Sequence, residues 1–344
     1  MSILLQSPKR PRSPWQRLYG WAHRGRYLWY RRHSHKLPRP VISIGNLHWG
    51  GAGKTPLVAA VAAHLRDQGL AVTVLSRGYG GSGTGVRVVS QGDGPLLGPG
   101  LAGDEPVLLA GELPGVAIVV GPDRYRAGLQ ALERLEPVPQ IFILDDGFSH
   151  LKLQRDLDLL AFPASDPLGG GRLVPGGRLR EPLASASRAH GALLTGSDGE
   201  ASAGQRLAAA LRPYGFAGEG FAATLQVESA RLLPDQGLPP RSKVLLVSAI
   251  ARPERFRATA EKAGFAVVDE VRFGDHHAYP AASLERIRRA FATSGAEAVL
   301  TTTKDRVKLH GRLDLPLAEL PVRAAPEAAF WSWLDAQVER LLAR

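Results

Sequence analysis

Short apolar runs alternate with helical stretches along most of the chain. Residues 41–44 read Val-Ile-Ser-Ile, a buried strand, and a glycine-rich turn leads from them into a helix over 54–68. Further strands are predicted at 71–75, 86–89, 116–120, 141–144 and 158–162, with helices at 104–112 and 122–135. Apolar runs of strand length separated by helices predict βαβ units and a mainly parallel sheet. Two glycine-rich loops, 92–103 and 166–177, are long enough to be functional. An Ala/Gly-rich stretch at 196–220 reads as the end of this first unit, and 221–227 as a connecting strand. A second α/β pattern opens at 243–247 and continues with a helix at 253–263, a strand at 265–268, a helix at 280–293 and a strand at 298–301. The last helix, 326–342, carries apolar residues at Ala329, Phe330, Trp333, Leu334 and Val338. No internal repeat recurs at a fixed period. The expected division is an N-terminal segment 1–40, a first α/β domain 41–220, a linker 221–242 and a smaller α/β domain 243–344.

A length of 344 residues agrees with two domains. Hydrophobic residues at 44% and charged residues at 22% are the balance of an ordinary globular protein, not of a disordered or fibrous one. The absence of cysteine excludes a disulfide framework, a thiolate zinc site and a cysteine nucleophile. No stretch approaches the ~20 consecutive apolar residues of a spanning helix. The opening Met-Ser-Ile-Leu-Leu-Gln-Ser-Pro lacks the apolar core of a secretory signal. A soluble or peripheral protein of the cytoplasm is expected.

The net charge of +11 suggests a nucleic-acid partner until it is located. Residues 1–40 hold ten cations (Lys9, Arg10, Arg12, Arg17, Arg24, Arg26, Arg31, Arg32, Lys36 and Arg39) and no acid. The remaining 304 residues balance 33 basic against 32 acidic side chains, so the basicity is an N-terminal device. Trp15, Tyr19, Trp21, Tyr27, Trp29 and Tyr30 lie in the same segment. Rings interleaved with cations suit the water–lipid boundary, where each cation near an anionic leaflet contributes ~1 kcal/mol. A basic helix packed on the body by its rings is a second reading, compatible with the first. Nucleic-acid binding is the third, and no nucleic-acid partner is expected.

The strongest chemical signal is Gly45-Asn-Leu-His-Trp-Gly-Gly-Ala-Gly-Lys-Thr-Pro56, between a strand and a helix. This is the setting of a phosphate-binding loop. Backbone N–H groups freed by Gly50, Gly51, Ala52 and Gly53 converge on phosphates, Lys54 reaches the β/γ oxygens, and Thr55 at the helix start binds magnesium. The usual loop has glycine six positions before the lysine; here His48 stands there, so the loop is a variant. The second signal is the apolar run 141–144 ending in Asp145-Asp146-Gly-Phe-Ser-His150. A strand-end acid is how P-loop proteins hold magnesium, and two adjacent carboxylates repel unless a cation sits nearby. The third, Val174-Pro-Gly-Gly-Arg-Leu-Arg-Glu-Pro182, brings together Arg178 and Arg180, suited to phosphate, and Glu181, suited to a hard cation. Weaker signals are Gly103-Asp-Glu-Pro106, a helix start capped by Asp104, the turn Asp275-His-His-Ala-Tyr279, and Thr301-Thr-Thr-Lys-Asp305 at a strand end.

Together and in this order, these segments resemble one family, tetraacyldisaccharide 4′-kinase, the lipid A 4′-kinase of Gram-negative bacteria. The likeness runs over nearly the whole chain and includes Ser76-Arg-Gly-Tyr-Gly80 and Asp275-His276. It implies two Rossmann-like α/β domains, the first of P-loop NTPase type, joined by a thin linker with ATP between them. It implies transfer of the γ-phosphoryl of ATP to the 4′-hydroxyl of a tetraacylated glucosamine disaccharide 1-phosphate at the cytoplasmic face of the inner membrane, which residues 1–40 would touch. By the family pattern Lys54 neutralises the phosphates, Thr55, Asp146 and Glu181 surround magnesium, and Asp104 is the general base with His276 beside it. Asp145, Pro56, His150 and Arg180 fall on other active-site positions. Ser149 stands where the family usually has glutamine, and Thr303 where it usually has glutamate. The alternatives are a P-loop ATPase or GTPase that uses hydrolysis as a switch, and a nucleic-acid-binding module working through the basic arm.

Overall fold

The computed structural model describes residues 14–200, 202–233 and 236–344. Of the basic segment, Lys9, Arg10 and Arg12 lie outside the described residues, as do the side chains of Trp15, Arg17, Arg24 and Arg31. The strands are β1 (Val41–Gly45), β2 (Val72–Ser76), β3 (Arg87–Ser90), β4 (Ala117–Val120), β5 (Ile141–Asp145), β6 (Leu157–Pro163), β7 (Gly191–Thr195), β8 (Glu219–Val227), β9 (Arg231–Leu232), β10 (Gln236–Gly237), β11 (Lys243–Ser248), β12 (Ala266–Arg272), β13 (Ala298–Thr302), β14 (Leu317–Leu320) and β15 (Val322–Pro326). The α-helices are α1 (Pro14–His33), α2 (Lys54–Asp67), α3 (Pro99–Ala102), α4 (Asp104–Glu112), α5 (Arg124–Arg134), α6 (Ala203–Leu211), α7 (Pro253–Lys262), α8 (Ala281–Ser294), α9 (Thr303–Leu309) and α10 (Ala328–Leu342).

The strands form two sheets, in the orders β15-β8-β7-β6-β1-β5-β2-β4-β3 and β10-β9-β14-β13-β11-β12. The first is parallel from β8 to β4, with β3 and β15 antiparallel at its two edges. The second is parallel from β14 to β12. This is the expected α/β class. β1 lies inside the first sheet between β5 and β6, in a register that pairs Ile44 with Asp145. The loop leaving β1 and the carboxylates ending β5 therefore emerge side by side at the carboxyl edge, where open α/β sheets bind ligands.

Packing explains why α2 covers this region. Leu57, Val58, Val61, Ala62 and Leu65 recur at helical spacing and are buried against Ile42, Ile44 and Ile143. Each large side chain buried this way contributes about 1.5–3 kcal/mol. The same core takes in Phe330, Leu334 and Val338 of α10, and here the structure departs from the sequence expectation. β8, read as a connector within 221–242, is a strand of the first sheet. β15 then pairs Val322–Pro326 with residues 223–227, and α10 follows it onto α2, where Asp335 meets His64 at 2.7 Å and Trp331 stacks on that ring at 4.3 Å. The segment 243–344 is thus not one continuous unit: its last strand and helix close the edge that β8 would otherwise leave unpaired.

Candidate active site

The phosphate loop is built by close approach. A Cβ on Gly45 would meet Phe148 Cβ at 2.5 Å, so glycine lets the turn after β5 pass directly over the end of β1. Gly53 caps α2 at φ 69° with no side-chain bond to the first-turn amides. Those N–H groups and the helix dipole are what a phosphate requires. The buried carbonyl of Ala52 accepts a 2.8 Å hydrogen bond from Thr195 Oγ1 of β7, which ties the loop to the sheet. Gly50 and Gly51 are exposed, while Thr55 and Pro56 lie in the first turn of α2. His48, at the variant position, is buried, with Nε2 3.1 Å from the Asp166 carbonyl and its ring edge-on to Phe162. Burial pushes its imidazole down to about 4, so it is a neutral packing residue of the loop.

Lys54 Nζ lies 3.1 Å from Asn46 Oδ1 and 3.0 Å from Asp146 Oδ1. Arg180 clasps both oxygens of Asp146 and also donates to the Asn46 carbonyl. The loop, the strand end and the arginine loop are thereby drawn into one charge cluster. Burial alone would raise the Asp146 carboxyl, but the Arg180 hydrogen bonds and the Lys54 charge hold it well below the usual range. Asp146 adopts φ 52°, a left-handed conformation that aspartate tolerates better than most residues.

Asp145 is different. It is buried, Oδ2 accepts a 3.1 Å bond from Ser76, and Oδ1 has no hydrogen-bond partner. Burial, together with Glu105 and Asp146, pushes this carboxyl up against the opposing charge of Lys54. An orphaned carboxylate oxygen of that kind fits a bound cation. Among the described residues no three His, Asp or Glu side chains already converge as a metal cage. That does not exclude magnesium, which keeps several waters and takes one or two carboxylates plus substrate phosphates.

Glu181 is almost fully buried; Oε1 accepts from Ser149 Oγ at 2.5 Å and Oε2 pairs with Arg188 at 2.6 Å. Arg188 lies over the Phe148 ring at 4.1 Å and the Tyr27 ring at 5.2 Å. The departure at Ser149 thus has a visible consequence, since its short hydroxyl bonds the glutamate directly. His150 is largely enclosed, with Nε2 unpartnered, and burial with the Arg124 charge lowers its imidazole to about 3. Arg124 is itself buried and lowered to about 10, by burial and by Arg77.

Asp104, at the first turn of α4 on the first sheet, meets side chains carried by the second. His276 Nδ1 is 3.6 Å from Asp104 Oδ2, and Lys308 Nζ of α9 is 3.0 Å from the same oxygen. His276 has φ 60° and its Nε2 lies 3.2 Å from Lys304 Nζ, which also reaches Glu105 at 3.6 Å and Asp275 at 3.9 Å. Thr303 opens α9, whose cap is the Thr302 hydroxyl accepting from the Asp305 amide. The sequence reading gave no role to Asn46, Ser76, Thr195, Arg188 and Lys308. Asn46 and Ser76 stand inside segments it singled out, and Lys308 lies one helical turn beyond Lys304; Thr195 and Arg188 lie outside every motif.

Helix α1 docks on the same region. Tyr19 Oη donates to the Arg180 carbonyl at 3.0 Å, and Arg26 to the Ser149 carbonyl at 2.6 Å. Trp21 and Trp29 remain 79% and 55% exposed. No described helix is long and apolar enough to cross a membrane.

A mostly parallel sheet whose inner strand feeds a Gly-Lys-Thr loop, with an aspartate pair ending its neighbour, defines a P-loop nucleotide-binding protein. Comparison with known proteins narrows the class. The model of the family described as tetraacyldisaccharide-1-P 4′-kinase matches residues 10–339, and the chain belongs to that family. Tetraacyldisaccharide 4′-kinase of Geobacter sulfurreducens is 42% identical over 306 residues, covering 86% of this chain and 83% of the relative. The protein of the same name from Geobacter metallireducens is 44% identical over 276 residues, 80% of each chain. The crystal structure of LpxK from Aquifex aeolicus in complex with ATP is similar at a TM-score of 0.77 and 32% identity, covering 96% of this chain and 98% of that one.

Proposed function

We propose that Asp104 takes the proton of the acceptor hydroxyl while Lys54 and Arg180 hold the phosphates of ATP. The reaction is that of the family: the γ-phosphoryl of ATP passes to the 4′-hydroxyl of a tetraacyl glucosamine disaccharide 1-phosphate in lipid A biosynthesis. The bond from the 4′-oxygen to the γ-phosphorus forms, the bond from that phosphorus to the bridging oxygen breaks, ADP leaves, and the proton goes to the Asp104 carboxylate. Such a transfer depends mainly on position and charge stabilisation.

The observation that carries this reading is the cluster of Lys54, Arg180 and Asp146 at the start of α2. Two cations converge where the loop presents its amides. Arriving phosphates compete with Asp146 for both, and the released carboxylate becomes available to a metal. Asp146, Thr55 and Glu181, with the orphaned Asp145 Oδ1, would hold magnesium, which when bound neutralises charge on the β- and γ-phosphates. His276 stands beside Asp104 to orient it and disperse the proton. The two sheet units act as two domains, and their closure on ATP excludes water. Residues 1–40 bring the enzyme to the cytoplasmic surface of the inner membrane, where the acyl chains of the acceptor remain in the bilayer.

The test is transfer of labelled γ-phosphate to a lipid disaccharide acceptor. Parent enzyme should label the acceptor, and Lys54→Ala should lose at least ~10²-fold in rate while remaining folded. Parental labelling by Lys54→Ala would remove the phosphate-loop assignment. Equal ATP turnover with and without acceptor would favour the hydrolytic switch instead.

A further inference from the structure

We infer that Lys308 is a positioning residue for Asp104, fixing from the second sheet the carboxylate that the first sheet supplies. The inference rests on the reading of Asp104 as the base. Lys308 Nζ lies 3.0 Å from Asp104 Oδ2 and 3.2 Å from Asp305 Oδ1, and its side chain is 5% exposed. His276, the expected partner, is 3.6 Å away, beyond hydrogen-bond distance. The closest ionic contact of Asp104 is therefore the ammonium group.

That ammonium has little freedom of its own. Asp305, one helical turn before it, is fully buried, and its Oδ2 accepts from the Ala249 amide and the Thr302 hydroxyl, both at 2.9 Å. The Tyr279 ring lies 5.4 Å from Nζ. Lys308 is thus held by Asp305 of α9, itself tied to the amide just after β11, and by the Tyr279 ring in the turn before α8, independently of Asp104.

Charge counting separates its two partners. Lys308 and Asp305 already neutralise each other, so burial of the lysine does not require a second carboxylate. With Asp104 the trio carries one net negative charge. When Asp104 accepts the hydroxyl proton the trio becomes neutral and the Lys308–Asp305 pair is undisturbed. The lysine thus provides an anchor that survives proton transfer. Because Asp104 begins α4 and Lys308 sits on α9, the contact exists only while the two sheets are together, which links their docking to the base.

The experiment is a double-mutant cycle in full-length enzyme, read as single-turnover kcat with enzyme in excess so that residual rates stay measurable. Lys308→Met should lower the rate roughly tenfold to 10²-fold, the scale of a misplaced catalytic group, with the Kd for ATP unchanged. In an Asp104→Asn background the same change should alter the rate less than about twofold, since the group it positions is gone. A purely structural lysine would cost the same in both backgrounds, and that result overturns the inference. Because Lys308→Met leaves Asp305 buried without its cation, Lys308→Met with Asp305→Asn is the second variant: it restores neutrality, should fold, and should remain slow. Parental kcat in that variant overturns the inference while leaving the base in place. Parental kcat in Asp104→Asn alone removes the base reading itself, and the inference with it.

Discussion

Replacing Thr195 by valine tests how the phosphate loop is held without touching any group expected to meet ATP. Thr195 ends β7, is buried, and places Oγ1 2.8 Å from the Ala52 carbonyl and 3.1 Å from the Phe162 carbonyl. One hydroxyl proton serves one acceptor at a time, and the shorter contact is to the loop. Valine keeps the branched shape and removes the donor. A typical hydrogen bond contributes about 0.5–1.5 kcal/mol net, and a buried acceptor left unsatisfied costs about 1–3 kcal/mol. The loop is half exposed and can shift to let water reach Ala52, so a loss near the lower end, about 1.4 kcal/mol, is expected. Charged to loop order, that is tenfold in ATP affinity. Isothermal titration gives Kd, and exposed Trp49 in the same loop offers a fluorescence signal. Thr195→Ser keeps the hydroxyl and should bind within about threefold of the parent. A parental Kd in Thr195→Val, or an equal loss in Thr195→Ser, would refute the argument that this bond orders the loop.

Two further outcomes follow from the electrostatics. His48 and His150 are neutral in the fold, lowered by burial from 6.5 to about 4 and about 3, whereas the unfolded chain protonates both near 6.5. Stability must therefore fall as pH drops below 6.5, by roughly 1 kcal/mol per histidine at pH 5.5. Urea midpoints at pH 7.5 and 5.5 should draw closer in His48→Gln, and identical shifts in parent and variant would count against the buried neutral state. For α1, co-sedimentation with anionic vesicles should weaken from about 50 to about 500 mM salt yet persist in part through Trp21 and Trp29. Binding insensitive to both salt and a Trp21→Ala/Trp29→Ala change would leave α1 as a packing helix only.

The parts of this molecule that local physics determines were readable from the sequence. A β1 run of apolar residues, then glycines, then Lys54-Thr55 can hardly form anything but strand, turn and helix, and α2 begins at Lys54 as expected. Asp104 opens α4 and Asp145 ends β5 for the same reason. What failed was assignment between sheets. The apolar stripe of α10 announces a buried face but not which sheet it covers, and the antiparallel pairing of β15 with β8 is a long-range choice that no local pattern encodes. The partners of the site's charges failed likewise. Nothing in the spacing of Lys308 shows that it will lie 3.0 Å from a carboxylate 204 residues away. The family pattern implies Asp146 as a metal ligand; in the fold it is the counter-ion of Lys54 and Arg180, a pairing visible only when all three are brought together.

The N-terminal helix shows why the two readings of residues 1–40 were never exclusive. A purely interfacial helix would contact the body only incidentally, and a purely structural one would bury its rings. Helix α1 docks on the body through some of its residues and leaves the Trp21 and Trp29 rings exposed. Tyr19 and Arg26 donate to the backbone carbonyls of Arg180 and Ser149, and Tyr27 lies under the guanidinium of Arg188. The residues it grips are those whose side chains serve the site: Arg180 clasps Asp146, and Ser149 and Arg188 hold Glu181. Using the carbonyls of Arg180 and Ser149 leaves those two side chains available, so docking the helix anchors both loops without consuming that chemistry. The opposite consequence is equally physical. A change that frees α1 removes backbone anchors from both loops at once, so loss of surface binding and loss of turnover should appear together in α1 variants such as Arg26→Ala, although Arg26 contacts neither carboxylate.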